Sequence, residues 1–137
     1  MKLYFKNIDL NYVPIVEAIL RNPIGHKSLS LELIIDTGFQ GGVLIPFRNY
    51  LDLELNLFEE PKVIARTSVG GEIELRVSKV FIEFNNFKIL CHAYTTLGVR
   101  RALLGREVLQ RVGLLYKPPN ELKLGLDIDK KAMENRI

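Results

Sequence analysis

One carboxylate in the sequence is placed where it could take part in chemistry. Asp36 follows the aliphatic run Leu33-Ile34-Ile35 and precedes Thr37 and Gly38. Such a run predicts a strand that ends in the core, so the carboxyl group is shielded from water and suited to general acid or base chemistry. Asp and Gly are also common turn formers, and the tripeptide alone favours a structural turn. The preceding strand and the following Val43-Leu44-Ile45 favour a chemical role.

A second informative element lies far downstream. Leu103 and Leu104 are followed by Gly105 and Arg106. Two aliphatic residues and a glycine allow a strand to pass close beneath another backbone. Taken alone, this element is best interpreted as a strand, a tight turn and a helix start without a chemical role.

The predicted secondary structure around these residues is mostly strand, because short apolar runs alternate with turn residues. Gly70-Gly71 and Asn85-Asn86 each predict a hairpin turn. Pro14 predicts that the strand containing it lies at an edge or carries a bulge. The predicted strands are residues 12–20, 29–35, 43–45, 62–69, 72–84, 87–96 and 122–128.

Two short helices complete the predicted elements. Pro46 opens the segment from Phe47 to Leu55, where the apolar spacing suits a helix. The segment from Arg106 to Val112 has one apolar face, and Gly113 can end it in a left-handed conformation. The predicted fold class is therefore all-β, as a small closed or orthogonally packed barrel with one or two short helices.

Length and composition limit the classes of function. The chain has 137 residues, which predicts a single domain with a core at about residues 10–128 and a charged tail over 129–137. The net charge of +3 is too small to indicate a nucleic-acid partner or an anionic membrane surface. Neither a signal peptide nor a run long enough to span a membrane is evident, so we expect a cytoplasmic protein.

The residues that could bind a metal or act as a nucleophile are few. Cys91 is the only cysteine, which excludes an internal disulfide and a cysteine-based zinc site. His92 is adjacent to it in a predicted strand, where neighbouring side chains face opposite sides, so the two do not form a nucleophile and base pair. Cys91 is best interpreted as buried and His92 as a surface or edge residue. We expect no metal and no cofactor.

Asp36-Thr37-Gly38 after a hydrophobic strand, with Leu103-Leu104-Gly105-Arg106 before a C-terminal helix, resembles the retropepsin-like aspartic proteases. These are the single-motif relatives of pepsin, and they include retroviral proteases and prokaryotic members. The resemblance covers roughly residues 29–115. It implies a barrel of the acid-protease type with a flap hairpin.

The resemblance also implies roles for individual residues. Asp36 would be the catalytic carboxylate, Thr37 would bond across to the partner loop, and Gly38 would leave space above the carboxylate. Leu103, Leu104 and Gly105 would support the catalytic loop from behind, and Arg106 would open the helix. The substrate-binding residues implied are Phe39 in the cleft and Ser68, Val69, Gly70 and Gly71 in the flap.

Two residues depart from the retroviral pattern. Phe39 stands where Ala or Ser is usual, and it would narrow the cleft or pack into the dimer seam. Gln40 stands where an acidic residue usually follows, which removes an expected partner of Arg106.

Hydrolysis by this chemistry requires two carboxyl groups that share one proton. The sequence holds one Asp-Thr-Gly and no Asp-Ser-Gly, so the second carboxyl group must come from another copy of the chain. The resemblance therefore implies a homodimer with a shared active site and a peptide or protein substrate. Residues 122–128 are the main candidate for interleaved terminal strands, and residues 1–10 are a second one.

The sequence thus favours an aspartic endopeptidase. Apolar character around Leu44, Val69 and Ile73 weakly favours apolar side chains near the cut. Phe39 and Gln40 leave an alternative open, a catalytically silent dimeric peptide-binding or assembly module on the same fold. An oligonucleotide-binding barrel is a weaker alternative, since no strand face combines aromatic and basic residues. Arg100-Arg101 is most simply interpreted as a solvated loop.

Overall fold

The structure is a computed structural model that describes residues 2–67 and 69–125. Short runs rich in apolar and β-branched residues form the strands, and turn residues separate them. The strands are β1 (Leu3–Ile8), β2 (Asn11–Arg21), β3 (Ser28–Ile35), β4 (Val43–Leu44), β5 (Glu59–Arg66), β6 (Glu72–Phe84), β7 (Phe87–Thr95), β8 (Leu103–Leu104), β9 (Leu114–Lys117) and β10 (Glu121–Leu124). The helices are α1 (Phe47–Asp52), a 3-10 turn (Leu55–Leu57) and α2 (Arg106–Val112).

The main sheet closes on itself. Its strand order is β1-β2-β3-β8-β4-β7-β6-β5, and an additional pairing joins β2 to β6. The pairing places Ile19 opposite Glu83 and Arg21 opposite Phe81. Six strands, in the order β2-β3-β8-β4-β7-β6, therefore form a ring, and β1 and β5 lie at its two edges. This architecture confirms the predicted all-β class.

The core fills the interior of this ring. Alternation along the strands sends one set of side chains inward, and α1 and α2 add their apolar faces. The largest fully buried side chains come from the strands, the helices and the segments beside them: Leu20, Leu33, Val43, Ile45, Tyr50, Leu53, Leu55, Val80, Ile82, Phe84, Leu104 and Val108. The helix α2 has the bounds predicted from the sequence, and Gly113 beyond it has a φ of 83°.

The prediction of an edge or bulged strand at Pro14 is wrong. The strand β2 lies between β1 and β3, and both ladders run without a register shift. The ladder to β3 begins only at Ile15, opposite Ile34, and Pro14 pairs with Phe5 of β1. Proline has no backbone N–H to donate. Pro14 is tolerated because it lies outside the β2–β3 pairing, so no hydrogen bond to β3 is lost.

The ends of the chain differ in part from the predicted boundaries. The strand β1 pairs with β2 from Leu3 onward, so the sheet begins before the predicted core start at about residue 10. The hairpin of β9 and β10 forms around a turn at residues 118–120. The predicted tail over 129–137, and the end of the candidate dimer strand at 122–128, lie outside the described residues. Among the described residues, no helix is long and apolar enough to span a membrane.

Candidate functional site

The position of Asp36 is fixed by two parallel strands. The end of β3 pairs with β8, Ile34 opposite Leu103 and Ile35 opposite Leu104. The backbone N–H of Ile34 donates to Ala102 O at 2.8 Å, and that of Asp36 donates to Leu104 O at 2.9 Å. The ladder therefore continues through Asp36 itself, which holds its backbone rigidly at the end of a core strand.

The carboxylate of Asp36 is half-buried and oriented by its own loop. The N–H of Gly38 donates to Asp36 Oδ1 at 2.8 Å, and the N–H of Phe39 donates to Asp36 O at 3.2 Å. Within the described residues, Oδ2 has no hydrogen-bond partner. One oxygen is thus held by the backbone while the other is left for a further group.

The loop after Asp36 is fastened to the start of α2. Gly105 N–H donates to Gly42 O at 2.8 Å, Arg106 N–H to Phe39 O at 2.8 Å, and Glu107 N–H to Gly41 O at 3.3 Å. A Cβ on Gly105 would lie 2.2 Å from Gly41 O, so only glycine permits this approach. The structure therefore brings Leu103, Leu104, Gly105 and Arg106 directly beneath the loop that carries Asp36.

Thr37 and Gly38 lie on the surface of the described chain. The side chain of Thr37 makes no hydrogen bond among residues 2–67 and 69–125. A Cβ on Gly38 would meet Asp36 Oδ1 at 3.1 Å and no other atom within 4 Å. The space beside the carboxylate is accordingly open, and the threonine hydroxyl is accessible to another chain.

Phe39 does not occupy that open space. Its ring packs edge-on against Tyr94, with the centroids 5.9 Å apart and an interplanar angle of 84°. Glycine at positions 41 and 105 makes room for the ring, since a Cβ at either would lie within 2.6 Å of a Phe39 ring carbon. The large side chain that departs from the retroviral pattern is therefore packed against Tyr94 and the two glycines.

The predicted flap is a hairpin of β5 and β6. In its turn the N–H of Thr67 donates to Gly71 O at 2.7 Å, and the N–H of Gly71 donates to Thr67 Oγ1 at 3.1 Å. Gly70 has a φ of 88°, which explains the glycine there. Val69 is 92% exposed at the tip. Ser68, the remaining predicted flap residue, lies outside the described residues.

A cleft of about 530 Å³ separates the first flap strand from the Asp36 loop. Its lining comes from both sides: Gly38, Phe39, Gln40, Gly41, Val63, Ile64, Ala65, Arg66, Leu75 and Tyr94. The sequence pattern does not single out most of these residues, because they reach the cleft only through the pairing of β5, β6 and β7. Burial, the largest effect, raises the pKa of Tyr94, so its hydroxyl stays protonated at neutral pH.

His92 links the helix to the flap strand, although the sequence suggested only a surface or edge position. The Glu107 carboxylate accepts the backbone N–H of His92 at 2.9 Å and lies 2.8 Å from its Nδ1. On the other side, His92 Nε2 is 3.6 Å from Glu60 Oε1. No short-range pattern signals this contact, because the three residues come from β7, α2 and β5.

The substitution at position 40 has a visible consequence. Gln40 is exposed, and Arg106 Nε is buried without a hydrogen-bond partner in the described part of the chain. The expected pairing between the helix-opening arginine and the residue at position 40 is therefore absent. Arg106 is nevertheless placed beneath the loop through its backbone N–H.

Comparison with solved structures identifies this architecture. A retropepsin-like aspartic protease from Rickettsia conorii matches with a TM-score of 0.61 and 15% identity, over 85% of this chain and 83% of that one. The fold is retropepsin-like. The EIAV protease complexed with the inhibitor HBY-793 matches with a TM-score of 0.53 and 20% identity. That match covers 77% of this chain and 92% of the protease.

At this level of identity the likeness establishes the retropepsin-like fold. No family model matches the sequence, and no curated protein matches it either. The roles of individual residues therefore rest on the geometry described above.

Proposed function

We propose that this chain is an aspartic endopeptidase that acts as a homodimer, with Asp36 from each subunit forming the catalytic pair. The observation that carries the proposal is the placement of Asp36. Its backbone is locked into the β3–β8 ladder, one carboxylate oxygen accepts the Gly38 N–H, and the other oxygen is open. This retropepsin-like chain supplies a single such carboxylate, so the partner subunit must supply the second.

The exposed side chain of Thr37 supports the dimer. A hydroxyl without a partner among the described residues of its own chain gains a hydrogen bond when a second loop is placed across a two-fold axis. The same operation brings two Asp36 carboxyl groups together. Two such groups about 3 Å apart cannot both ionise, so they share a single proton.

The chemistry then follows from the shared proton. A water oxygen bonds to the scissile carbonyl carbon while the ionised carboxylate takes the water's proton. The protonated carboxyl group gives its proton to the carbonyl oxygen. In the second step the carbon–nitrogen bond breaks, the nitrogen receives a proton from one carboxyl group, and a proton returns from the intermediate hydroxyl to the other. The pair ends with one proton, as it began.

The cleft beneath the flap supports an extended peptide as substrate. Val63 and Ile64 of β5 are 38% and 65% exposed, and Val69 projects at the flap tip. Apolar side chains that are exposed to water along this hairpin favour contact with an apolar ligand. A Phe39 ring above the Asp36 carboxylate would favour the silent binding module, so its orientation toward Tyr94 favours the enzyme.

The test is cleavage of a degenerate peptide library at several acidic to neutral pH values, with the oligomeric state measured by sedimentation. Asp36→Asn removes the shared proton with little change in shape, so cleavage should fall by at least about a thousandfold while the dimer persists. Asp52→Asn is the matched control, because Asp52 is exposed in α1 and distant in sequence from the loop.

Two results would contradict the proposal. A wild-type protein that sediments only as a monomer lacks the second carboxyl group. A dimer of Asp36→Asn that cleaves as fast as the wild type shows that this carboxylate is not the catalyst.

A further inference from the structure

A second cleft, of about 490 Å³, opens on the outer face of the first three strands. Its lining is drawn from β1 to β3, the start of α1 and the segment before β8, and it includes Lys6, Ile15, Glu32, Ile34, Arg100 and Arg101. This group of residues, here called the basic cleft, is separate from the cleft under the flap.

The basic cleft lies on the same strand face as the Asp36 carboxylate. Ile34 and Asp36 are two residues apart, so their side chains project to the same side of β3. Their Cα atoms are separated by about 6.6 Å at the usual rise of a strand. An extended peptide substrate has the same rise per residue as a strand. The basic cleft would therefore face a substrate side chain about one to three positions from the scissile bond at Asp36.

The floor of the basic cleft is apolar. Ile15 and Ile34 are cross-strand partners in the β2–β3 ladder, and Val13 continues the same face of β2. Ile15 is 5% exposed, so the floor is packed into the sheet. Ala102 also lines the basic cleft, and its carbonyl oxygen accepts a hydrogen bond from the Ile34 N–H. This floor suits the aliphatic stem of a substrate side chain.

The rim of the basic cleft is cationic. Lys6, Arg100 and Arg101 are its cations, and among residues 2–67 and 69–125 none of them forms an ion pair. The one carboxylate of the lining, Glu32, is engaged by the hydroxyl of Tyr4 at 2.6 Å. Three cations thus surround an apolar floor with a single, already hydrogen-bonded anion.

We propose that the basic cleft is a specificity site that binds an acidic side chain of the peptide substrate close to the scissile bond. The stem of a glutamate packs on Ile15 and Ile34, and its carboxylate meets the guanidinium groups of Arg100 and Arg101. This inference rests on the proposed function, because it assigns a substrate class to that active site. It adds a binding role for Arg100 and Arg101, which the sequence indicates are in a solvated loop and which are exposed in the structure.

The experiment compares matched peptides that carry Glu, Gln, Leu or Lys at each position within about three residues of the cut. For the wild type, kcat/KM for the best Glu peptide should exceed that of its Gln counterpart by about tenfold at low salt. The ratio should fall toward one near 0.5 M salt, since the rim is solvent-exposed. Equal rates for Glu and Gln at every position would overturn the proposal while leaving the protease intact.

Charge reversal identifies the residues responsible. Arg101→Glu should abolish the preference for Glu and raise the rate for the Lys peptide, and Lys6→Glu provides a second variant on another strand. Lys27→Glu changes the net charge equally but lies in the turn before β3, about 30 Å along that strand from Asp36. The inference requires Lys27→Glu to keep the wild-type preference. Loss of the preference in Lys27→Glu would show an effect of net charge alone.

A binding measurement separates failure of this inference from failure of the proposed function. If the wild type cleaves none of the peptides, the proposed protease activity is wrong. Fluorescence anisotropy with labelled Glu and Gln peptides and the Asp36→Asn protein then tests the basic cleft itself. Tighter binding of the Glu peptide, lost in the double variant with Arg101→Glu, supports the cleft as an acidic-peptide site; equal binding refutes it.

Discussion

At Gly105, one added methyl group should push the Asp36 loop away from the start of α2 that supports it. A Cβ there would lie 2.2 Å from Gly41 O, 2.5 Å from Phe39 Cδ2 and 2.7 Å from Phe39 O. An ordinary contact between carbon and oxygen needs at least about 3.2 Å, so the loop must move by about 1 Å. Two of the three close atoms are backbone carbonyls, which cannot move without the chain.

That movement would break the hydrogen bonds that fasten the loop. Donors at Gly105, Arg106 and Glu107 reach Gly42 O, Phe39 O and Gly41 O. At about 1 kcal/mol each, together with overpacking of about 1–2 kcal/mol, Gly105→Ala should lower the free energy of unfolding by about 4–5 kcal/mol. For a domain of this size the melting temperature should fall by more than about 10 °C.

The measurement is urea unfolding of Gly105→Ala beside Gly25→Ala. Gly25 has a φ of +71°, and no atom lies within 4 Å of the position that a Cβ would take there, so its variant bears only the strain of a left-handed conformation. That control should lose about 1 kcal/mol. If Gly105→Ala loses no more than Gly25→Ala, the loop is not held by close backbone contact, and the supporting role assigned to Gly105 fails.

Two further predictions concern groups whose pKa is shifted. The hydrogen bonds from Arg76, at 2.6 and 2.7 Å, lower the pKa of Glu59 below its ordinary 4.5. These hydrogen bonds stabilise the folded protein above pH 4.5, and their contribution is lost as the pH falls through the pKa of Glu59 in the folded state. In urea titrations, Glu59→Gln should therefore lower the free energy of unfolding by about 1 kcal/mol at pH 7 and by much less near pH 3. Equal losses at the two pH values would contradict this. Burial raises the pKa of the Cys91 thiol, so a thiol reagent should modify native protein at least about a hundredfold more slowly than unfolded protein. Rapid modification of the native protein would show that β7 opens easily.

Much of the local structure could be predicted from the sequence. The bounds of α2 followed from one apolar face and from Gly113, whose φ of 83° is the positive value that favours glycine there. The turn at Asn85-Asn86 was correct, since Phe84 pairs with Phe87 across it. Such features depend on backbone preferences within a few residues, which the residue types themselves set.

The strand boundaries near the flap were predicted less well. The strand assigned to residues 62–69 is β5 at Glu59–Arg66, and its ladder shifts register between Glu60 and Val63. Where a strand ends depends on the partner that satisfies its backbone groups, and β6 continues well beyond the point where β5 leaves it. The residues of one strand do not indicate how long its partner strand is.

The residue order is enough to predict that a carboxylate follows a core strand and that a glycine precedes the last helix. That these two points meet depends on the folded chain, through the parallel pairing of Ile34 with Leu103 and the contact of Gly105 with Gly41. The packing of Phe39 against Tyr94 and the cleft that Lys6 shares with Arg101 depend on it as well. Local conformation is set by neighbouring residues, whereas distant segments meet only where their pairing buries a common core.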